Sequence, residues 1–90
     1  SLGMVKEAEA SFRQGLRAEP SNAGLWNNLA YALARQQCGA QALAAVQCAI
    51  VLEPENPEYR DSQQELTASG EPGGGKCEPV NCPQVEANAN

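Results

Sequence analysis

Shifting this chain against itself by 34 residues brings a run of like residues into register, and that repeat constrains the fold more than any other feature. Ala8 falls on Ala42, Phe12 on Val46, Gly15 on Ala49 and Leu16 on Ile50. Glu19 then meets Glu53, Pro20 meets Pro54 and Asn22 meets Asn56, while Gly3 on Gln37 is an imperfect match. The matched positions are mostly small or apolar and lie three, four or seven residues apart, the spacing of one face of a helix. A unit this long holds two helices, and stacked units bury a continuous core that no single unit could close alone.

Local signals divide the unit. Over Ala23 to Gln37, Trp26, Leu29, Ala30 and Leu33 share one face, and Ser21 and Asn22 can cap the start by accepting backbone N–H bonds. Gly39 is expected to break the chain there. A second helix is predicted from Ala40 to Glu53, with Leu43, Val46, Cys48, Ala49 and Ile50 turned inward. Pro54 and Pro57 prevent that helix from continuing.

Trp26, Leu29, Ala30, Leu33, Ala42, Val46, Ala49 and Pro54 together resemble the signature of the tetratricopeptide repeat family. Ala30 stands where glycine is usual in that family, and Leu33 where tyrosine is common. The resemblance implies an all-α fold, antiparallel helix pairs of an α-solenoid with about four helices. It covers residues 1–69: a half repeat over 1–20, a full repeat over 22–55 and a capping helix over 57–69. On this reading the chain begins inside a repeat, and its order is that of the C-terminal end of a stack. Some of Val5, Phe12 and Leu16 are then expected to lie on the incompletely covered side of the first helix, each forgoing roughly 1.5–3 kcal/mol of burial if left bare.

From Gly70 to Asn90 the composition turns to Gly, Pro, Glu and Asn, which cannot bury enough apolar surface to fold alone. This Gly/Pro-rich acidic tail is expected to be disordered or extended, with any order supplied by a neighbouring subunit. Cys77 and Cys82 within it could pair in an oxidising compartment or remain two thiols. Zinc fits poorly, since the chain has no histidine to complete a ligand set. Cys38 and Cys48, in the helical part, read as small hydrophobes.

In tetratricopeptide stacks the first helices line a concave groove where protein partners lie, so the resemblance implies a non-enzymatic interaction module. The polar face of the first complete helix offers Asn27, Asn28, Tyr31 and Arg35 as partner-binding residues. Asn28, two residues after the aromatic, holds the place of an amide that bonds a bound peptide backbone in such proteins. The clamp that family adaptors of heat-shock chaperones use for a terminal carboxylate is not matched, because Glu58 and Ser62 stand where cations are needed. The alternative is a permanent structural subunit of a larger assembly, held by its open N-terminal helix face and its tail.

Other classes fit the residues badly. The net charge of -5 leaves no basic footprint for nucleic acid, and an acidic membrane surface would repel the chain. No apolar run approaches the roughly 20 residues that span a bilayer, and no signal peptide is visible. Neither a phosphate-binding glycine loop nor a paired base and nucleophile occurs, so no catalytic residue, metal or cofactor is expected.

Overall fold

The computed structural model describes residues 2–69 and 77–83. Four helices follow one another, α1 (Leu2–Ala18), α2 (Ala23–Ala34), α3 (Gly39–Leu52) and α4 (Pro57–Ser69), with no strand among the described residues. Each packs on the next, and α2 also touches α4.

The 34-residue repeat of the sequence reappears as geometry. α1 ends at Ala18 and α3 at Leu52; α2 starts at Ala23 and α4 at Pro57. The turns between these pairs are built alike. Asn22 N–H donates to the Glu19 carbonyl at 3.1 Å, and Asn56 N–H to that of Glu53 at 3.1 Å. Both asparagines also donate through Nδ2 to the glutamate before them, at 2.9 and 3.2 Å. Each Oδ1 then accepts a backbone N–H in the next helix, from Leu25 at 3.1 Å and from Glu58 at 3.0 Å. An asparagine suits this place because its amide donates backward and accepts forward, satisfying an orphan helix-start N–H.

The core follows the helical stripes. Trp26, Leu29, Ala30 and Leu33 of α2 are buried, as are Ala42, Ala45, Val46, Cys48 and Ala49 of α3. Leu43 and Ile50 pack only at its margin. α4 closes the other side with Tyr59 and Leu66, leaving Arg60, Asp61, Gln64 and Glu65 exposed. The Trp26 indole N–H donates to the Pro20 carbonyl at 2.9 Å, which satisfies its polar edge while the ring fills the core. Leu16 is buried too, at 7 % exposure, so of the three candidates for the open side of α1 it is Val5 and Phe12 that stay partly exposed.

The break between α2 and α3 is made differently from the sequence expectation. Gln37, at φ 67°, takes the left-handed turn, and Gly39 is already the first residue of α3. α2 accordingly stops at Ala34, short of the expected Gln37.

The tail departs further. Cys77 and Cys82 do not pair with each other; Cys38 pairs with Cys77 and Cys48 with Cys82, with Cα–Cα distances of 6.2 and 5.4 Å. The dimensions explain the choice. Ten helical residues from Cys38 to Cys48 rise about 15 Å, and five extended residues from Cys77 to Cys82 reach about 16 Å. An extended strap therefore spans the two helix cysteines, whereas its own two ends stay too far apart to join. Residues 77–83, which the sequence reading expected a neighbouring subunit to order, are held to their own chain through both disulfides and Arg13 of α1. The Arg13 guanidinium donates to the Glu78 carbonyl at 3.1 Å and to that of Pro79 at 3.3 Å.

Glu9 holds Arg13 in place, accepting from its Nε at 2.7 Å, and also accepts from Gln36 at 2.8 Å. Burial alone would raise the Glu9 pKa. The hydrogen bonds from Gln36 and Arg13, with the charges of Arg13 and Lys6, outweigh it and hold the carboxyl below its usual value. A carboxyl depressed on folding contributes stability above its unfolded pKa and loses it as pH falls through the folded one. Glu9→Gln is therefore expected to cost up to about 1 kcal/mol at neutral pH, the scale of an exposed pair. The gap between variant and wild type should close as pH falls below the ordinary glutamate range, through the lowered pKa of the folded state. Urea unfolding at pH 7 and pH 3 checks this; a gap that widened in acid would contradict it.

Candidate groove between the first two helices

α1 and α2 diverge enough to leave a groove of about 440 Å³ between them. Its floor is apolar, formed by Met4, Val5, Ala8 and Phe12 of α1 with Ala32 of α2. Its polar rim comes from α2 through Asn28, Tyr31 and Arg35. Each α2 residue advances about 100° around the helix, so positions 28, 31, 32 and 35 fall on one side. The core stripe from Trp26 to Leu33 falls on the other.

Three of the four polar residues expected to meet a partner are thus gathered in one place. Asn28 and Arg35 are exposed and Tyr31 is half-buried. Arg35 makes no ion pair among the described residues. The Tyr31 hydroxyl donates to Glu65 of α4 at 2.6 Å. Its pKa is raised, first by burial and then by that bond and the charges of Glu65 and Glu58, against a smaller opposing effect of Ser62. Tyr31 is therefore a neutral side chain tied to α4, and the part left for a ligand is chiefly its ring.

Asn27 does not belong to this set. It is only 8 % exposed and its Oδ1 has no hydrogen-bond partner among the described residues. One residue from Asn28 is enough to turn it out of the groove and into the packed edge of α2. A buried carbonyl oxygen left unpaired costs about 1–3 kcal/mol unless a water reaches it.

Met4, which sequence reasoning passed over, is the most exposed large apolar side chain among the described residues, at 70 %. The 34-residue shift could have flagged it, since it places Met4 on Cys38, a residue 1 % exposed in the core. A second cleft, of about 330 Å³, lies where the strap of Glu78–Pro83 crosses Arg13, Arg17 and Leu16. Its outer wall is the chain's own strap, fixed by two disulfides.

Among the described residues no three His, Cys, Asp or Glu side chains are gathered so as to hold a metal ion. No helix there is long and apolar enough to cross a membrane. No protein-family model, no curated protein and no solved structure matches this chain.

Proposed function

We propose that this chain is a tetratricopeptide-type helical module that works by protein–protein interaction and not by catalysis. The observation that carries this reading is the groove between α1 and α2, with its half-exposed apolar floor and a rim of exposed amide and guanidinium groups. An apolar trough edged by a few donors fits a polypeptide segment, whose side chains fill the trough while its carbonyls or carboxylates meet the rim. The matching turns at Asn22 and Asn56 and the helix ends 34 residues apart support the family assignment.

The test is affinity purification from a native extract on the disulfide-intact chain, with bound proteins identified by mass spectrometry. The double variant Asn28→Ala/Arg35→Ala should recover the specific set about tenfold less well than wild type, the scale of losing one or two rim contacts. Its melting temperature should be unchanged, since both side chains are exposed. Equal recovery by both proteins would sink the reading.

A second reading, permanent membership of a larger assembly, is favoured by the exposure of Met4 beside the half-buried Val5. A fixed set of partners recovered at one-to-one ratio would select it.

A further inference from the structure

The strap of residues 77–83 is fastened unequally at its two ends. At the Cys77 end three links hold it: the bridge to Cys38 and the carbonyls of Glu78 and Pro79, which accept from Arg13 at 3.1 and 3.3 Å. Arg13 is braced in turn by Glu9 at 2.7 Å, and Cys77 and Val80 pack against the core. From Asn81 to Pro83 the bridge to Cys48 is the one bond to the helices among the described residues.

Access to the sulfurs differs as well. Cys82 is exposed and Cys77 half-buried, while Cys48 and Cys38 are 0 % and 1 % exposed. A thiolate opens a disulfide by attacking one sulfur directly, so each bridge can be approached only from its strap side, and Cys82 is the easier target. Electronic effects do not reverse this order. Cys38 stands just before α3, where helix-start amides can steady a leaving thiolate, but its sulfur makes no cap bond to them and lies 3.5 Å from the Gln36 carbonyl oxygen. Once opened, Cys38–Cys77 is also the quicker to re-form, because Arg13 keeps its two halves at high effective concentration.

We infer that Cys48–Cys82 is a thiol-exchange site for small external thiols, and that Cys38–Cys77 is the hinge on which the strap then opens. The external thiolate attacks Cys82 Sγ; a new S–S bond forms there, and the electron pair of the old one leaves on Cys48 Sγ, which takes a proton from water. Cys48 Sγ lies 3.2 Å from the Ala44 carbonyl, so the new thiol has an acceptor in place. A second external thiolate attacks the outer sulfur of the adduct, releasing Cys82 as a thiolate and the reductant as its own disulfide, a two-electron reduction overall. Asn81 and Pro83 belong to the wall of the 330 Å³ cleft whose lining includes Leu16, Trp26 and Leu29. Opening the bridge therefore withdraws part of that wall and bares an apolar surface, while the hinge keeps the strap attached. This inference is independent of the groove between α1 and α2.

The experiment treats the full oxidised chain with reduced glutathione for increasing times, quenches in acid, unfolds and alkylates, and places each label by peptide fragmentation. Cys48 and Cys82 should become free about tenfold or more faster than Cys38 and Cys77, and the glutathione adduct should sit on Cys82. Trp26, the single tryptophan, reports on the cleft: its fluorescence should become more open to iodide quenching as Cys48–Cys82 opens and before Cys38–Cys77 does. Arg13→Ala, which removes the brace at the hinge, should bring the two opening rates closer together. The inference is overturned if Cys38–Cys77 opens first, if both bridges open in one step, or if no adduct forms on Cys82. It is equally overturned if Trp26 quenching rises only with the second bridge, or if Arg13→Ala leaves the ratio of rates unchanged.

Discussion

Reducing both disulfides is expected to lower the stability of the fold by about 4 kcal/mol, a large part of what a domain of this size has. The loop closed by Cys38–Cys77 spans 39 residues. Closing such a loop in the unfolded chain is worth about 4 kcal/mol on chain-entropy grounds. The second bridge, Cys48–Cys82, adds less, because the first has already confined its ends. In the native state the loss of the bonds themselves is mild. Cys38 and Cys48 are 1 % and 0 % exposed and would stay packed as small hydrophobes. The strap fares worse: without its bridges it keeps the Arg13 hydrogen bonds to Glu78 and Pro79 and the marginal packing of Val80. The four helices should therefore survive reduction in weakened form while residues 77–83 detach. Melting with and without a phosphine reductant, with alkylation and mass measurement to count free thiols, checks this. Cys48→Ala/Cys82→Ala should reproduce part of the loss. Full reduction with no change in melting would show that the bridges contribute nothing. Since disulfides persist only where conditions are oxidising, the native form is also expected to require such conditions to assemble.

What could be read from the sequence were the features fixed by neighbours within a turn or two. The α2 stripe of Trp26, Leu29 and Leu33 and the stops at Pro54 and Pro57 are local, and the helices lie where these put them. The Asn22 cap is likewise local, needing only its own turn. Misjudged features depend on distant parts of the chain. Four cysteines allow three pairings, and local spacing leaves Cys77 and Cys82 either as a pair or as two thiols, with Cys38 and Cys48 as small hydrophobes. The pairing found depends on the match between a helical rise and an extended reach, which exists only once the strap lies along α3. Asn27 looks like its neighbour Asn28 in sequence, but its burial is set by how closely α2 is packed along that edge. The α2–α3 break was assigned to Gly39 on propensity, whereas Gln37 takes the left-handed conformation and leaves Gly39 to begin α3. The groove is partly legible: its rim follows from the polar face of α2, while its floor requires knowing where α2 leaves α1 uncovered.

Leu29→Ala, in the disulfide-intact chain, is expected to cost about 3 kcal/mol, within the usual range for emptying a buried leucine. Leu29 is 1 % exposed and belongs to the core that joins α1, α2 and α3. Its removal leaves a void that the surroundings cannot readily close, because the bridge from Cys38 ties down the start of α3. Asn28→Ala, one residue away and exposed, should change stability by no more than about 0.5 kcal/mol. The contrast between adjacent positions is the informative quantity. It tests the rotation of α2 about its own axis, and with it the assignment of Asn28, Ala32 and Arg35 to the groove. Urea unfolding of both variants measures it, with loss of the circular dichroism signal as the readout. A Leu29→Ala cost near 3 kcal/mol with a silent Asn28→Ala fixes the core stripe on one side and the groove on the other. Equal costs at the two positions would mean that α2 is rotated from the place described, and the groove residues would have to be drawn again from a different face.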